Sequence, residues 1–207
     1  LKSKGIFQSV KSKIYKSDQP EKNNIDIIIE EKATGEITAA AGYGTDGSSL
    51  SLGIKENNFN GKGIVLETNI SLGEDSVRGA FNYSHPNFRY SDRALNTSLE
   101  STVTDKLTDF GYKSTDAGFS IGTAFEQYDD FYFRPTFRTT YEELTTNSGA
   151  SANLKKQEGS YFTSNVGYVL DLDKRNQRFQ TTDGFQSKFI QTIPIISESD
   201  TLLNGYS

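Results

Sequence analysis

Apolar and polar residues alternate along most of the chain, and residues 42–63 show the pattern in its simplest form. Leu50, Leu52 and Ile54 alternate there with small or polar residues, and glycine-rich turns stand on either side. A period of two is typical of a strand with one apolar and one polar face. The fold depends on what the apolar face meets, because a soluble sheet covers that face with protein whereas a membrane barrel exposes it to lipid.

The same alternation recurs from residue 34 to residue 195 and predicts strand after strand. The apolar phase consists of Ile64, Leu66, Ile70, Leu72, Val77, Phe81, Tyr83, Leu95, Leu99, Val103, Phe119, Ile121, Phe125, Phe131, Phe133, Phe137, Tyr141, Phe162, Val166, Tyr168, Leu170, Phe185, Phe189, Ile193 and Ile195. The opposite phase carries Glu67, Asn69, Arg78, Asn82, Asn96, Glu100, Arg134, Arg138, Asn165, Asp171 and Lys188. We count about nine strands of roughly 9–12 residues, the length that crosses a bilayer when tilted.

The connections between these strands alternate in character. One set is compact and aromatic, at residues 57–63, 86–92, 126–131 and 174–184. The other set is polar and varies in length, at residues 44–49, 73–76, 105–115 and 144–159. Outer-membrane barrels have short periplasmic turns, longer external loops and aromatic girdles at both interfaces. The pattern therefore predicts that the compact connections face the periplasm.

The first 33 residues follow a different pattern. Residues 10–17 and 24–32 predict two strands, and Gly5, Ile6 and Phe7 before them indicate a helix end followed by an anchoring aromatic residue. We interpret residues 1–33 as the end of a small α+β module and residues 34–207 as barrel strands. Because the chain lacks an initiator Met and ends as a new alternating run begins, we expect it to be an internal piece of a longer protein.

Composition excludes several kinds of function. No stretch approaches the roughly 18–20 apolar residues of a membrane helix. A net charge of −5 without a basic run predicts no nucleic-acid site. Cys is absent and His85 is the single His, so thiolate and multi-His metal sites are not expected. We find no GxSxG nucleophile motif and no EF-hand spacing around loop acidic residues such as Asp46, and we predict no enzyme activity, cofactor or metal.

Three stretches carry a resemblance to a known family. Residues 34–63 (TGEITAAAGYGTDGSSLSLGIKENNFNGKG), 85–92 (HPNFRYSD) and 173–184 (DKRNQRFQTTDG) resemble the opening of the barrel in the BamA family of outer-membrane-protein assembly factors. Residues 5–32 resemble the end of the last polypeptide-transport-associated (POTRA) domain before that barrel. The resemblance implies an all-β fold, the N-terminal part of a sixteen-stranded transmembrane antiparallel barrel, with strands one to nine and the start of the tenth in this chain.

The resemblance also implies a function. It indicates a non-enzymatic factor that folds and inserts β-barrel proteins into the Gram-negative outer membrane without ATP, with its POTRA part in the periplasm. The implied partners are unfolded β-barrel clients, outer-membrane lipid and periplasmic lipoproteins. A two-partner secretion barrel or a TamA-like translocation factor remains an alternative, and a soluble β-sandwich adhesin is an alternative of another class.

One predicted strand is unusually rich in Gly and Ala, which are poor strand formers. A weak strand at an open edge offers unpaired backbone groups to an incoming strand. By the resemblance, this strand is one side of a lateral gate to which clients pair; otherwise its small residues serve tight packing of the lumen wall. Its residues are Gly35, Glu36, Ile37, Thr38, Ala39, Ala40, Ala41, Gly42, Tyr43 and Gly44. We expect proline at Thr38 or Ala40 to block assembly and single prolines in 147–153 to do little.

Further residues are candidates for periplasmic turns and for the two faces of the wall. The turn candidates are Asn57, Asn58, Phe59, Gly61, Gly63, Pro86, Asn87, Phe88, Asp183 and Gly184. Gly61 and Gly63 suit positive φ, Asp183–Gly184 is a hairpin signal, and Phe59 and Phe179 are predicted interfacial anchors. The polar-phase charges are either solvated lumen residues or a network that holds a plugging loop. The predicted lipid-facing residues are Leu52, Ile54, Leu66, Ile70, Phe81, Leu99 and Phe137.

Overall fold

The computed structural model describes residues 6–17, 21–44, 47–177, 179–196 and the backbone of 203–206. Its strands form two separate antiparallel sheets. The small sheet is a hairpin of β1 (Phe7–Lys16) and β2 (Asn23–Glu31). The large sheet contains β3 (Gly35–Gly44), β4 (Gly47–Phe59), β5 (Ile64–Gly73), β6 (Ser76–His85), β7 (Ala94–Lys106), β8 (Tyr112–Tyr128), β9 (Phe131–Thr146), β10 (Gly159–Asp173), β11 (Gln186–Ile196) and β12 (Leu203–Tyr206).

The ten strands of the large sheet form a simple meander. Strands that follow each other in the chain pair antiparallel, so the spatial order runs from β3 at one edge to β12 at the other. The connections therefore lie alternately at two ends of the sheet. We call the end with the β4–β5, β6–β7, β8–β9 and β10–β11 connections the compact end, and the opposite end the loop end.

The register between strands confirms the alternation predicted from the sequence. Leu52 lies opposite Ile70, and Phe81 lies opposite Leu99. Because opposed residues of an antiparallel pair share a face, the apolar phase of each strand continues into the next. All seven predicted lipid-facing residues fall on one face of the sheet and the polar-phase residues fall on the other.

The apolar face is not covered by protein. Leu52, Ile54 and Leu99 are each at least half exposed, and in the described part of the chain the buried apolar residues are Ile6, Ile64 and Ala150. A β-sandwich packs a second sheet onto this face to form its core. The sandwich alternative is therefore wrong for this fold. The ranges that the structure describes contain no helix with the length and apolar character needed to span a membrane.

The structure departs from the sequence-based prediction in strand length and loop content. β8, β9 and β10 contain 17, 16 and 15 residues, longer than the predicted 9–12. A short helix, α1 (Ala152–Lys156), also forms within the β9–β10 connection. Ser151 caps this helix, because its side chain accepts a hydrogen bond from the Leu154 N–H. Gly5, part of the predicted helix end, lies outside the described residues.

Candidate functional site

Strand β3 lies at one edge of the large sheet. In the described part of the chain it pairs with β4 alone, and all ten of its residues are exposed. Ala39 lies opposite Leu52 and Ala41 opposite Leu50, so only one methyl group of β3 meets each large side chain of β4. Small side chains give this pair little packing energy, since cross-strand contacts are what stabilise a sheet.

The direction of the backbone groups of β3 follows from one hydrogen bond at its start. The Asn57 N–H donates to the Thr34 carbonyl over 3.3 Å, which makes these two residues a hydrogen-bonded pair. Such pairs alternate along an antiparallel ladder, so Thr38 and Ala40 also point their backbone groups at β4. The groups on the open side are those of the residues between them, Ile37, Ala39, Ala41 and Tyr43.

This geometry corrects the proline expectation. A proline at Thr38 or Ala40 removes a bond between β3 and β4, because the N–H groups of both residues face β4. It therefore tests the stability of the strand and leaves the open edge intact. Proline at Ala39 or Ala41 removes an N–H from the open side instead, and proline is tolerated in edge strands when its missing N–H would face away from the ladder.

The start of β3 is tied to the end of β4 by side chains. The Thr34 hydroxyl donates to the Glu56 carboxylate, and the same Glu56 oxygen accepts the Asn58 N–H over 2.7 Å. The Asn57 side-chain amide donates to the Thr34 carbonyl and to the Glu36 carboxylate, each over 3.1 Å. We call Thr34, Glu56 and Asn57 the clamp. It was not predicted from the sequence, because its members come together only through strand pairing.

A second specific contact lies further along β3. Gly53 of β4 is buried beneath neighbouring side chains, and a Cβ there would lie 2.5 Å from Thr38 Oγ1 and 2.6 Å from Asn69 Oδ1. Thr38 therefore occupies space that a side chain at Gly53 would need. This contact lies in the first half of β3, and the clamp lies at the start of the strand.

The β4–β5 turn has the backbone geometry that its sequence predicts. Gly61 and Gly63 have φ values of 68° and 65°, and Asn60 adopts 58°. These left-handed conformations suit Gly and Asn. The Asn58 side chain accepts the Gly63 N–H over 2.7 Å and holds the turn closed. Phe59, about half exposed, ends β4 beside this turn.

The β6–β7 connection is built around Asn87 and Phe88. The Asn87 side chain accepts the Asp92 N–H over 3.0 Å, and the Phe88 N–H donates to the Arg93 carbonyl over 2.8 Å. The Phe88 ring packs edge-on against His85, with 5.6 Å between ring centroids. Pro86 lies between these two residues in the chain and is exposed.

The β10–β11 connection differs from the predicted hairpin. Gly184 has a positive φ of 92°, as its sequence suggests, but Asp183 and Gly184 lie at the base of a long connection. The Lys174 N–H donates to the Phe185 carbonyl, and the Asn176 N–H donates to the Asp183 carbonyl. These two hydrogen bonds close the base of the connection. A two-residue Asp-Gly hairpin turn is therefore absent here. The exposed Phe179 lies beyond this base.

Charged residues link neighbouring connections and strands. Arg175 makes two hydrogen bonds to the Asp173 carboxylate, of 2.7 and 2.8 Å, and these raise the pKa of its guanidinium above the ordinary value. On the polar face, the Asp171 carboxylate is buried and accepts bonds of 2.8 Å from both Arg134 and Gln186. These two hydrogen bonds satisfy the buried Asp171 carboxylate within the sheet.

The architecture defines a class of protein. A consecutive antiparallel meander with an uncovered apolar face and a polar opposite face is the wall of an outer-membrane type β-barrel. The Omp85 superfamily domain model matches residues 58–202, more than half of the chain, and the chain belongs to that superfamily.

The comparison with solved structures agrees in fold. The structure is similar to BamA from Haemophilus ducreyi lacking POTRA domains 1–3, with a TM-score of 0.66 and 20% sequence identity. The match covers 96% of this chain and 41% of the BamA chain, so the present chain spans about two-fifths of that protein's length. No curated protein matches the sequence.

Proposed function

We propose that the protein to which this chain belongs folds and inserts β-barrel proteins into the outer membrane of a Gram-negative bacterium, without enzymatic chemistry and without ATP. In this proposal β3 is one side of a lateral gate, and the strands of unfolded clients pair with its open edge. The single observation that supports it is the weak packing of β3 on β4: its Gly and Ala residues put at most one methyl group opposite Leu50 and Leu52.

The physical basis of the proposal is strand addition. Unpaired N–H and C=O groups along an edge are a template for another strand, and each added pair satisfies groups on both chains. Weak side-chain packing in β3 lowers the energy needed to open a seam at this strand. No chemical energy source is then required, because burial of the client's apolar face in lipid and completion of its hydrogen bonds drive insertion.

Strand length supports a second part of the mechanism. β3, β5 and β6 contain ten residues each and β4 contains 13, whereas β8 and β9 contain 17 and 16. A shorter wall adjoining the gate matches a thinner bilayer, and a thinner bilayer is easier for a client to enter. We infer that outer-membrane lipid is a partner in the reaction at this side of the barrel.

The proposed orientation places the compact end in the periplasm. The β1–β2 hairpin precedes β3 at that end, and we assign residues 1–33 to the end of a POTRA domain and residues 34–207 to the barrel. Isoleucines at positions 25, 27 and 29 share one exposed face of the hairpin. A two-stranded sheet is marginal alone, and cover from the rest of a POTRA module would stabilise it. Periplasmic lipoproteins are the proposed accessory partners.

The test uses paired proline variants in the full-length protein as the only copy in the cell. Ala39→Pro and Ala41→Pro each remove an open-side N–H and leave the bonds to β4 in place. We expect normal amounts of folded protein in the outer membrane and a several-fold loss of porin assembly. Ala39→Val and Ala41→Val keep the N–H and are the matched controls, for which porin levels should stay near normal.

Two further variants separate the possible outcomes. Ala40→Pro removes a bond to β4, and we expect it to lower the amount of the protein itself. Ala152→Pro falls at the first position of α1 after an extended Ser151, where proline is tolerated, and should change nothing. Normal porin assembly by stably folded Ala39→Pro and Ala41→Pro proteins would contradict the proposal. Loss of one secreted protein with intact porins would indicate an export barrel instead.

A further inference from the structure

We propose that the clamp of Thr34, Glu56 and Asn57 sets the register of β3 on β4, and that its members are positioning residues for strand addition. The inference depends on the proposed function only for its consequence, since the register is a property of the folded sheet.

The side chains in the second half of β3 hardly distinguish one register of pairing with β4 from another. Ala39, Ala40 and Ala41 are identical, and Gly42 and Gly44 have no side chains. A shift of two residues keeps every side chain on its own face, so the apolar and polar pattern does not oppose it. The two large side chains that alternate with Thr38 and Ala40, those of Ile37 and Tyr43, do not oppose such a shift either, because they are 83% and 90% exposed.

The register-specific contacts are concentrated in the first half of the strand. Glu56 joins the Thr34 hydroxyl to the Asn58 N–H, and the Asn57 amide reaches both Thr34 and Glu36. A two-residue shift would displace these groups by about 7 Å, since a strand rises roughly 3.3 Å per residue. The bonds that join Thr34 to Glu56 and to Asn57 would then be lost, and Thr38 would leave its place over Gly53, whereas the bond between Glu56 and the Asn58 N–H lies within β4 and would remain.

The clamp therefore determines where the open edge lies. A shift of β3 would carry the open-side groups of Ile37, Ala39 and Ala41 along the strand by the same distance. A client strand that paired with the shifted edge would have its apolar band displaced from the lipid. The clamp residues do not touch the client in this scheme; they act through the position of β3.

The test measures register directly by disulfide formation in the full-length protein, with no cysteine other than the introduced pair. Ala41→Cys with Leu50→Cys reports the observed register, because these residues are directly opposed. They form a non-hydrogen-bonded pair, in which the side chains lie close enough to bridge. Ala39→Cys with Leu50→Cys, and Ala41→Cys with Leu52→Cys, report shifts of two residues in the two directions.

We expect the in-register pair to dominate in the otherwise unchanged protein. Thr34→Val together with Glu56→Ala should raise one of the shifted cross-links about tenfold, because hydrogen bonds to a charged group and within the turn are lost. Thr34→Val alone keeps the shape of the side chain and should act in the same direction with a smaller amplitude. It serves as the test if the double variant accumulates poorly.

Conservative variants distinguish register control from general weakening. Glu56→Gln retains an oxygen that accepts from Thr34 and Asn58, and Thr34→Ser retains the hydroxyl, so both should keep the in-register cross-link. Glu67→Ala removes a carboxylate of β5 that bonds Asn69 and does not contact β3, and should also leave it unchanged. An in-register cross-link that persists undiminished in both clamp variants would overturn the inference. Because no client is involved, that result would leave strand addition itself unaffected.

Discussion

Gly111 joins two connections at the loop end that are far apart in the sequence. The Asn147 N–H donates to the Gly111 carbonyl over 2.8 Å, and the Asn147 side-chain amide donates to the Leu107 carbonyl over 2.9 Å. Gly111 has a φ of 75°, and a Cβ there would overlap the backbone nitrogen of the buried Ala150. Residues 107–111 and 147–150 therefore pack as one ordered unit.

The packing of this unit changes the choice of control prolines. Prolines at Asn147 and Ala150 each remove an N–H that donates a hydrogen bond, so neither is a neutral substitution. The expectation that any proline within 147–153 does little does not take these bonds into account. Ala152, at the first position of α1, is the position in this stretch whose geometry accepts proline.

Replacement of Gly111 tests the loop unit at the scale of a residue. Gly111→Ala adds both the strain of positive φ and a backbone overlap, and should lower the local stability of the unit by about 1–3 kcal/mol. Hydrogen exchange at the Asn147 and Ala150 amides in the full-length protein measures this loss. Gly79→Ala is the matched control, since a Cβ at Gly79 would meet no atom within 4 Å. Equal amide protection in both variants would contradict the packing described here.

At the scale of elements, the sequence predicts correctly which face of each strand is apolar, but it predicts the lengths of the strands poorly. The faces are predictable because each strand carries its own period-two pattern, and pairing merely aligns one pattern with the next. The lengths are not, because β8 and β9 continue their ladder as far as Tyr112 opposite Thr146, beyond the strongest apolar alternation. That extension depends on hydrogen bonds between two strands, which the pattern of a single strand does not contain.

A pair of lysine substitutions on β7 tests the assignment of the faces. Leu99 lies on the apolar face and Thr102 on the polar face, where it is opposite Asp116. Leu99→Lys near the bilayer midplane should cost about 2–4 kcal/mol of unfolding free energy, and Thr102→Lys much less. Denaturant unfolding of the full-length protein in lipid vesicles measures both values.

Spin labels on the same face provide an independent check. Labels at Phe81 and Leu99, which oppose each other, should be accessible to oxygen and protected from water-soluble relaxation agents. A label at Thr102 should show the opposite preference. The reverse result at all three sites would mean that the two faces are exchanged, since a one-residue slip inverts every assignment.

At the scale of the whole molecule, no protein packs on the apolar face of the large sheet in the part of the chain that the structure describes. Its apolar face carries side chains that are half exposed, and such a surface is stable only when lipid or detergent covers it. We expect the full-length protein to refold in detergent micelles or vesicles and to aggregate without them. Circular dichroism and resistance to protease, with and without amphiphile, measure the difference. Refolding to a protease-resistant monomer in buffer alone would contradict a membrane-facing wall.

The candidate site was predictable only in part. The Gly and Ala content of β3 and the Gly and Asn content of the β4–β5 turn are properties of single segments, so a strand with little packing and a tight turn could be predicted before the pairing was known. The clamp brings Thr34 to Glu56 across 22 positions of the chain, and only the register of β3 on β4 makes them neighbours. The backbone groups of β3 that point away from β4 could not be predicted for the same reason, because their direction depends on which residues form hydrogen-bonded pairs with β4.

The ordered loop unit at the loop end has a consequence for immune recognition, given the proposed orientation of the barrel with this end at the cell surface. The surface formed by residues 107–111 and 147–150 brings together two segments that are far apart in sequence. An antibody raised against the folded protein would contact both segments and would bind a synthetic peptide of either one weakly. Gly111→Ala would then weaken that antibody while leaving antibodies against linear epitopes unaffected. A vaccine antigen based on this region would have to present the two segments on a folded scaffold.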